Sequence, residues 1–410
     1  MQKLKVLISA YACEPGKGSE PLAGWQWVNA VARVADEVHV ITRANNKPVL
    51  EKAQKEGTLK NVVFHYLDLP PWLRFWKRGQ KGVQLYYYLW QIIVAAKVYQ
   101  LHAKINFNVV HHVTMAGMQY PPGVASISDK VPFIWGPCGA VRVPSSLKPH
   151  LHPKARFLEY LHEVQFRVAQ KHPLVRKAFR YSRLMIVIPN SILLLPSQSY
   201  VVWLGQIYAD PHEFDLLLQT QKVNDGHEFN IVSAFRAIFW KGGDLAIEAL
   251  AHLKRRRVPF RWTLLGDGPE LGRWMSLAKQ LGLWDNVQFL GHLPRQKALQ
   301  VISRADVFLH PSYREGWATA IIEAMAAGLP VICLNWGGPG YIVDDESGFK
   351  ISVDQDREAI IEAIANALEA LQDPDLRRRM GEKARERALE NFSIAVLNTK
   401  VQEIYEKLRS

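Results

Sequence analysis

Short apolar runs rich in β-branched residues alternate with helical patterns along this chain, and the alternation starts again near its middle. In the first half the runs are Leu4–Ala10, Val38–Thr42, Val62–Leu67, Val109–Val113, Phe133–Trp135 and Leu184–Ile188. After a less regular stretch around residues 196–228 they are Asn230–Phe235, Phe260–Leu265, Val287–Leu290, Val307–His310 and Val331–Leu334. This pattern predicts two α/β units, each with a parallel sheet and helices on both faces.

The length of the chain supports two units, because 410 residues correspond to about two or three domains. Hydrophobic residues make up 48% of the chain, so each unit can bury a core of its own. We expect a first domain over residues 1–205, a hinge region over residues 206–226 and a second domain over residues 227–392. The charged, helical end of the chain follows the second domain.

The three cysteines, Cys13, Cys138 and Cys333, are too few and too scattered for a disulfide framework or a metal cluster. This usage favours a reducing, cytoplasmic setting. The first residues run directly into a predicted strand, so we expect no signal peptide.

The net charge of +13 favours an anionic partner, which includes nucleic acid, anionic lipid and phosphorylated small molecules. The sequence has no zinc-finger, RRM-like or basic heptad pattern, so we expect no nucleic acid partner. The run Arg377-Arg378-Arg379 is typical of a solvated helix face. The anionic partners that remain are a lipid surface and a phosphate-bearing ligand.

An aromatic and basic segment, residues 71–97, stands apart in the first half of the chain. Its apolar run of about a dozen residues is well short of the ~20 that a membrane-spanning helix needs. Trp and Tyr beside Lys and Arg are typical of an element that lies in the headgroup layer of a membrane. A buried helix beside a basic loop explains the segment equally well. Membrane-surface contact and burial are both open interpretations of this segment.

Two carboxylates eight positions apart, Glu315 and Glu323, lie around the start of an apolar helix. A strand, a loop that contains Gly316 and a helix together direct backbone N–H groups and a positive dipole end at an anion. Eight helical residues would rise about 12 Å, whereas retaining glycosidases hold their two carboxylates ~5 Å apart. We therefore interpret the pair as hydroxyl ligands at two points of one extended ligand, such as a nucleotide sugar. Two unrelated helix glutamates are the alternative.

Two cations bracket a tight turn near the start of the second unit, where Arg236 ends a predicted strand and Lys241 begins the next helix. Arg offers phosphate a planar fork of donors and Lys a compact charge. This placement predicts binding of a phosphate group, with an ordinary surface pair as the alternative. In the first unit, Gly16 and Gly18 allow close backbone approach to a phosphate or a sugar. A plain strand-to-helix turn also explains the two glycines.

Two adjacent histidines, His111 and His112, lie near the end of a predicted strand in the first unit. Ligands of open α/β sheets bind beyond the carboxyl ends of the strands. Successive strand residues point to opposite faces of a sheet, so we expect at most one of these histidines to face a ligand.

Together these motifs resemble the family 4 glycosyltransferases, retaining enzymes of the GT-B fold, in which two Rossmann-like α/β domains face each other across a cleft. The resemblance covers nearly the whole chain and is strongest from Ile231 to Phe349. Its motifs are Arg236…Lys241-Gly242, Leu265-Gly266-Asp267-Gly268-Pro269, Phe289-Leu290-Gly291-His292, Glu315…Glu323 and Gly328-Leu329-Pro330-Val331. Segments 11–20 and 133–137 resemble bacterial members that build surface polysaccharides.

The resemblance implies a role for each motif. Arg236 and Lys241 would bind the donor diphosphate and neutralise its charge as it leaves. Glu315 would bind hydroxyls of the transferred sugar and Glu323 those of the ribose. His112 would lie beside the donor sugar and the acceptor. The other donor-binding residues would be Gly16, Gly18, Gly291, His292, Gly316, Trp317, Ala318 and Thr319.

The resemblance also implies a reaction. A hexosyl group would pass from a UDP- or GDP-sugar to an acceptor hydroxyl with retention of configuration, without a metal ion or a cofactor. The acceptor would be a carbohydrate or a lipid-linked saccharide, bound mainly by the first domain, in polysaccharide or glycolipid biosynthesis. The reaction would take place in the cytoplasm or at the inner face of the membrane. The helix at residues 393–408 would pack back on the first domain.

Three positions depart from the pattern of the family. Ala318 stands where glycine is common, and Tyr341 stands where an acidic residue usually follows the second glycine motif. No Asn-Gly pair occurs between Pro189 and Pro211. The first two departures bear on the geometry of the donor site and the third on the hinge.

Two other functions fit the same fold, because fold alone does not fix function. A nucleotide-sugar epimerase would bind the same donor but would need no acceptor. A non-catalytic partner of a membrane-associated transferase would bind the donor without turnover. The spacing of Glu315 and Glu323 favours transfer over epimerisation.

Overall fold

Two parallel sheets organise the chain in the computed structural model, which describes residues 3–77, 79, 82–115, 117–188, 200–210 and 229–409. The strands of the first sheet are β1 (Lys5–Ser9), β2 (Glu37–Thr42), β3 (Val62–Tyr66), β4 (Val109–His112), β5 (Phe133–Cys138), β6 (Ser182–Val187) and β7 (Tyr200–Trp203). The strands of the second are β8 (Phe229–Ala234), β9 (Phe260–Leu265), β10 (Val287–Gly291), β11 (Val307–His310), β12 (Val331–Leu334) and β13 (Gly348–Ile351).

Helices connect these strands. In the first half they are α1 (Glu20–Ala32), α2 (Lys47–Lys55), α3 (Pro71–Arg74), α4 (Val83–Ile105), α5 (Pro153–Ala169) and α6 (Pro173–Tyr181). In the second half they are α7 (Gly243–Arg255), α8 (Leu271–Gln280), α9 (Arg295–Ser303), α10 (Thr319–Ala326), α11 (Gly337–Ile342), α12 (Arg357–Ala370), α13 (Pro374–Phe392) and α14 (Ile394–Arg409).

The strand order of both sheets reverses beside the first strand. It is β3-β2-β1-β4-β5-β6-β7 in the first sheet and β10-β9-β8-β11-β12-β13 in the second. All of the strand pairs are parallel. These are doubly wound, Rossmann-like sheets, and in such sheets ligands bind where the order reverses. The predicted fold of two Rossmann-like α/β units is confirmed.

Every strand predicted from the sequence is present, with ends that differ by at most a few residues, but two strands were missed. β7 is a short apolar run with half-exposed and exposed side chains, and it lies in the less regular stretch of sequence around residues 196–228. β13 begins at Gly348, where an added Cβ would lie 2.0 Å from the Val331 carbonyl oxygen. A short edge strand that begins with glycine gives little periodicity to recognise.

The last helix packs on the first sheet's half of the molecule. Side chains of α14, including Leu397 and Val401, share a buried cluster with residues of β1 and α1. His111 Nδ1 lies 2.9 Å from the Tyr405 hydroxyl, which joins α14 to the end of β4. The chain crosses back where the Ala209 N–H donates to the Phe392 carbonyl at 2.7 Å. The domain boundaries stay a prediction, and residues 211–226 of the expected hinge lie outside the described residues.

The aromatic segment 71–97 divides between surface and core, and residues 78, 80 and 81 within it lie outside the described residues. One face of α4, which contains Tyr86, Tyr87 and Trp90, is completely buried. Burial therefore explains one face of α4, whereas other apolar side chains of α4 are exposed, as are Trp72 and Phe75 in and beside α3. None of the described helices has both the length and the apolar character needed to cross a bilayer.

Candidate functional site

The loops at the two points of strand reversal carry most of the residues singled out in the sequence. Gly16 and Gly18 follow β1, and His112 ends β4. Arg236 and Lys241 follow β8, and Glu315 follows β11. The carboxyl ends of parallel strands lie at one edge of a sheet, so each sheet contributes a cluster of these residues.

Gly242 brings the loop after β8 against the loop after β11. Its φ is +69°, and an added Cβ would lie 1.9 Å from the Pro311 carbonyl oxygen. No other residue fits this close backbone approach. The approach places the ammonium group of Lys241 in an ion pair with the carboxylate of Glu315. Both side chains are largely buried, at 15% exposure each.

The charge state of Lys241 is set by its surroundings. Burial, together with the neighbouring charges of Arg236 and Arg314, lowers the pKa of Lys241 to about 7. The carboxylate of Glu315 acts in the opposite direction because a nearby negative charge favours the ammonium form. Arg236 is exposed and has no acidic partner among the described residues. This part of the site therefore has a surplus of positive charge that is open to an anion.

His310 also belongs to this cluster, although the sequence analysis missed it as a site residue. It ends β11, is 1% exposed, and its Nε2 lies 3.5 Å from Glu315 Oε2 without a hydrogen bond. Burial, then the charge of Lys241, holds the pKa of His310 well below its usual value, so the ring is neutral. The sequence could have indicated His310, because it ends a predicted strand and the ends of the strands beside the reversal point lie near bound ligands.

The second carboxylate has a different cationic partner. Glu323 lies on α10 and forms an ion pair with Arg295, the first residue of α9. The Arg295 guanidinium also reaches across to the first half, because an added Cβ on Gly18 would lie 3.9 Å from it. Glu315 and Glu323 are thus held by two different cations. The glycine loop after β1 faces the second of these ion pairs.

A second glycine motif supports the backbone around Glu315. The Gly338 N–H donates to the Glu315 carbonyl at 3.0 Å. An added Cβ on Gly338 would lie 2.1 Å from the Gly316 carbonyl oxygen, and one on Gly337 would lie 2.4 Å from that of Glu315. These glycines let α11 pack directly on the loop before α10. Tyr341, the departure from the family pattern, instead packs on Phe392.

Trp317 has a packing role that the sequence did not indicate. Its indole N–H donates to the Ile207 carbonyl at 2.7 Å, and its ring lies against Gly205 and Phe392. Any contact of Trp317 with a ligand must therefore come from its backbone. The following residues, Ala318 and Thr319, lie at the start of α10, where backbone N–H groups are available to an anion.

The two histidines at the end of β4 differ in their hydrogen bonds. Both ring nitrogens of His111 have partners, the Tyr405 hydroxyl at 2.9 Å and the Gly136 carbonyl at 2.8 Å. His112 Nε2 lies 3.0 Å from the Tyr87 hydroxyl, whereas its Nδ1 has no hydrogen-bond partner among the described residues. Burial lowers the pKa of His112 to about 3, so this ring is neutral and can only donate or accept a hydrogen bond.

Two of the predicted donor-binding residues, Gly291 and His292, lie at the end of β10. Gly291 has a φ of +65°, and its carbonyl accepts from the Gly266 N–H at 2.7 Å. His292 is exposed. A separate cavity of about 290 Å³ lies where residues before α5 meet α7, α8 and α12, and its lining includes His152, Arg273 and Arg357. None of the residues singled out in the sequence lines that cavity.

Comparison with known proteins gives one family match. Residues 218–387 match the sequence profile described as Glycosyl transferases group 1. The chain is 34% identical over 185 residues to the putative colanic acid biosynthesis glycosyltransferase WcaL of Escherichia coli K12, which is 43% of this chain and 45% of that protein. It is 23% identical over 411 residues to N-acetyl-alpha-D-glucosaminyl L-malate synthase of Bacillus anthracis, covering 98% and 97%. The WcaL match thus spans about half the length of that relative.

Solved structures share the fold over almost the entire chain. The sucrose-phosphate synthase of Thermosynechococcus elongatus has a TM-score of 0.70 at 18% identity, with 99% of both chains covered. Anabaena HepE in complex with UDP-glucose has a TM-score of 0.64 at 19% identity, with 98% of this chain and 100% of that chain covered. At these identities the likeness concerns the fold alone.

Proposed function

We propose that this protein is a glycosyltransferase that transfers a sugar from a nucleotide-diphosphate donor to an acceptor hydroxyl, and the match of residues 218–387 to the group 1 glycosyl transferase profile supports this proposal. The observation that carries the proposal is the cluster at the reversal point of the second sheet. Arg236 and Lys241 present positive charge there beside Glu315. Glu323 is held separately by Arg295. Such a site fits a ligand with a diphosphate between two sets of hydroxyls.

Charge stabilisation is the main catalytic contribution in this proposal. As the bond between the anomeric carbon and the phosphate oxygen breaks, negative charge grows on the diphosphate. Cations already in position stabilise that charge more than they stabilise the intact donor. Arg236 meets the diphosphate from the exposed side of the site. Lys241 meets it from the buried side, where electrostatic interactions are stronger.

Retention of configuration follows from displacement on one face of the sugar. The acceptor oxygen bonds to the anomeric carbon on the face from which the diphosphate departs, and the acceptor proton passes to a departing phosphate oxygen. Glu315 fits the role of a hydroxyl ligand, because its carboxylate is already held by Lys241. His112 offers a neutral ring nitrogen, Nδ1, for a hydroxyl of the donor sugar or the acceptor.

The remaining parts of the proposal concern partners and setting. Two cations perform the charge neutralisation that a metal ion performs in other transferases, so we propose that no metal ion or cofactor takes part. The donor is a UDP- or GDP-sugar, and the acceptor is a carbohydrate or a lipid-linked saccharide. The WcaL likeness supports a role in polysaccharide biosynthesis. The reaction belongs to the cytoplasm, where nucleotide sugars are made.

A screen of nucleotide sugars tests the proposed function. UDP, GDP, ADP and their sugars are added to the protein, and the melting temperature is recorded. A ligand at 100 times its dissociation constant stabilises the native state by about 2.7 kcal/mol. One base is expected to raise the melting temperature clearly above the others, and its sugar is then offered with bacterial lipid and saccharide extracts. No response to any nucleotide diphosphate would contradict the proposal.

The affinity for the donor is expected to fall as the pH rises through 7. The pKa of Lys241 is about 7 in the empty site, and a bound diphosphate raises it because negative charge favours the ammonium form. Binding therefore takes up a proton between these two pKa values, and affinity falls by up to about tenfold per pH unit. Calorimetry with the identified nucleotide sugar, in buffers of different ionisation enthalpy, measures this uptake directly.

Lys241→Arg is the matched control for this pH dependence, because arginine stays charged throughout the range. Its affinity is expected to be nearly flat with pH. Equal pH profiles for the natural protein and Lys241→Arg would contradict the assignment of the proton to Lys241.

A further inference from the structure

Helix α5 exposes apolar side chains along one face. Phe157, Leu161 and Val168 lie four and seven residues apart, a spacing that puts them on the same side of a helix. They are 59%, 44% and 61% exposed, and the neighbouring Leu158 and Tyr160 are 43% and 60% exposed. These side chains form an apolar strip that the described residues leave largely exposed. Exposed strips of this kind mark binding surfaces.

The opposite face of α5 holds the helix in place. Ala155 and Phe166 are buried there, and the Glu159 carboxylate forms an ion pair with Arg314 of the second half. The exposed apolar side chains therefore do not stabilise the fold. Something other than packing within this chain accounts for them.

The charges around the strip are of one sign. Lys154, Arg156, Arg167 and Lys171 are exposed in and just after α5, and none of them forms an ion pair with a described residue. The two acidic residues of α5 are paired, Glu159 with Arg314 and Glu163 with Lys148. An apolar strip with unpaired cations beside it complements a surface that is apolar beneath an anionic layer.

A groove continues the strip toward α4. It has a volume of about 600 Å³, and Val168 and Ala169 of α5 face Leu85 and Tyr88 of α4 across it. Apolar and aromatic side chains form the larger part of its lining, and the polar side chains among them are Gln84, Gln119, Gln165, Lys171 and His172. This volume lies within the range of ordinary ligand sites. A hydrocarbon chain would contact the apolar side chains of this lining, and an anionic headgroup beside it would be near Lys171.

The groove leads toward the candidate site. Tyr120 lines the groove, and its ring packs edge-on against Tyr87 with centroids 5.2 Å apart. The Tyr87 hydroxyl lies 3.0 Å from His112 Nε2. Two aromatic side chains thus separate the groove from the histidine that we place beside the donor sugar. The groove therefore lies on the outer side of the aromatic wall that supports His112.

Helix α3 adds exposed aromatic side chains near the start of α4. Trp72 and Phe75 are 72% and 78% exposed. Just after them, Trp76 packs against Tyr86, the neighbour of the groove residue Leu85, with ring centroids 6.5 Å apart. Trp and Phe beside basic residues are typical of contact with the headgroup layer.

We propose that α3, the groove and the exposed face of α5 dock on an anionic lipid bilayer, and that the groove takes one hydrocarbon chain of a lipid-linked acceptor. This inference rests on the proposed function for the identity of the acceptor. It also extends the predicted membrane contact of residues 71–97 to α5, because one face of α4 is core and α5 exposes a larger set of apolar side chains.

Vesicle sedimentation tests the docking surface. The full chain is expected to bind vesicles of phosphatidylcholine with phosphatidylglycerol and to bind pure phosphatidylcholine much less. Phe157→Ser with Leu161→Ser is expected to weaken binding at least tenfold, because each exposed side chain would otherwise be buried in the interface. Arg156→Gln with Arg167→Gln is expected to weaken it about 25-fold at low salt, with about fivefold from each lost charge.

Leu281→Ser with Trp284→Ser is the matched control, because it removes exposed apolar side chains near the second sheet. This variant is expected to bind anionic vesicles as the natural protein does. No binding to anionic vesicles, or equal loss in the control, would overturn the proposal. The alternative occupant of the strip is a second copy of this chain, and sedimentation velocity tests for it by measuring the oligomeric state. If the natural protein is a dimer and Phe157→Ser with Leu161→Ser makes it a monomer, the strip is an interface between copies and the proposal is overturned.

Val168→Trp tests the groove separately, because the larger indole narrows it. The probe is lysophosphatidylglycerol below its critical micelle concentration. The variant is expected to bind this lipid at least tenfold more weakly, while binding to nucleotide diphosphates stays unchanged. Unchanged affinity for the lipid would overturn the assignment of the groove. Binding of nucleotide diphosphates is measured on the same variants. A variant that binds nucleotide but shows no change in lipid binding therefore contradicts the groove and not the donor site.

Discussion

Replacing Lys241 with alanine is expected to lower kcat/KM for sugar transfer by about 10²- to 10³-fold, the usual loss when one preorganised charge-stabilising group is removed. Most of the loss is expected in kcat, because the charge on the diphosphate is greatest as it leaves. Release of nucleoside diphosphate from the donor identified by the screen is the measurement. Circular dichroism checks the fold, since the variant leaves Glu315 without its ion-pair partner.

Arg236→Ala provides a second test of the cations in the site if Lys241→Ala does not fold. Arg236 is exposed and has no acidic partner among the described residues, so its removal does not endanger the fold. Arg236→Ala is also expected to lower kcat/KM for sugar transfer. Lys52→Ala, which removes a well-exposed lysine of α2, is the control and is expected to have normal turnover. Near-normal turnover in both Lys241→Ala and Arg236→Ala would refute the role of these cations.

Glu323→Ala is expected to weaken donor binding by about 10- to 150-fold. A hydrogen bond to a charged group contributes about 1.5–3 kcal/mol, and every 1.4 kcal/mol corresponds to about tenfold in affinity. The sharper expectation concerns the ribose hydroxyls. The natural protein is expected to prefer ribonucleotide diphosphates over their 2′-deoxy and 3′-deoxy forms, and Glu323→Ala is expected to lose that preference. Calorimetry with the three ligands measures it.

Glu382→Ala, at an exposed position of α13, is the matched control for this experiment. It removes a carboxylate without touching the cluster and is expected to keep the preference for ribose. If Glu323→Ala still distinguished ribose from deoxyribose, the assignment of Glu323 to the ribose would be wrong. Loss of affinity for inorganic pyrophosphate as well would indicate an effect through Arg295 instead.

The fold was predictable because its signals are local. Each buried strand is an apolar run between helical patterns, and the two series of runs specify two doubly wound sheets. The main candidate residues were predictable for a related reason. Strands of a parallel sheet end at one edge, so Arg236, Glu315 and His112 could be placed near ligands from their positions after strands alone.

What the sequence did not reveal depends on contacts between distant parts of the chain. The ion pair of Glu323 with Arg295 joins α10 to α9, and the nearness of Arg295 to Gly18 requires the relative placement of the two halves. Trp317 looked like a loop residue at a ligand site, yet its indole fills the junction beside Gly205. The exposure of the apolar face of α5 was not predicted, because an apolar helical pattern ordinarily indicates burial.

The most direct test of the central claim follows the donor sugar itself. The identified nucleotide sugar is incubated with the protein, with and without the acceptor fraction, and the products are followed by NMR. We expect nucleoside diphosphate and a new glycosidic bond, with the anomeric configuration of the donor, only when the acceptor is present. A changed sugar on an intact nucleotide, formed without acceptor, would show epimerisation and contradict the account. Binding without any turnover would contradict it as well.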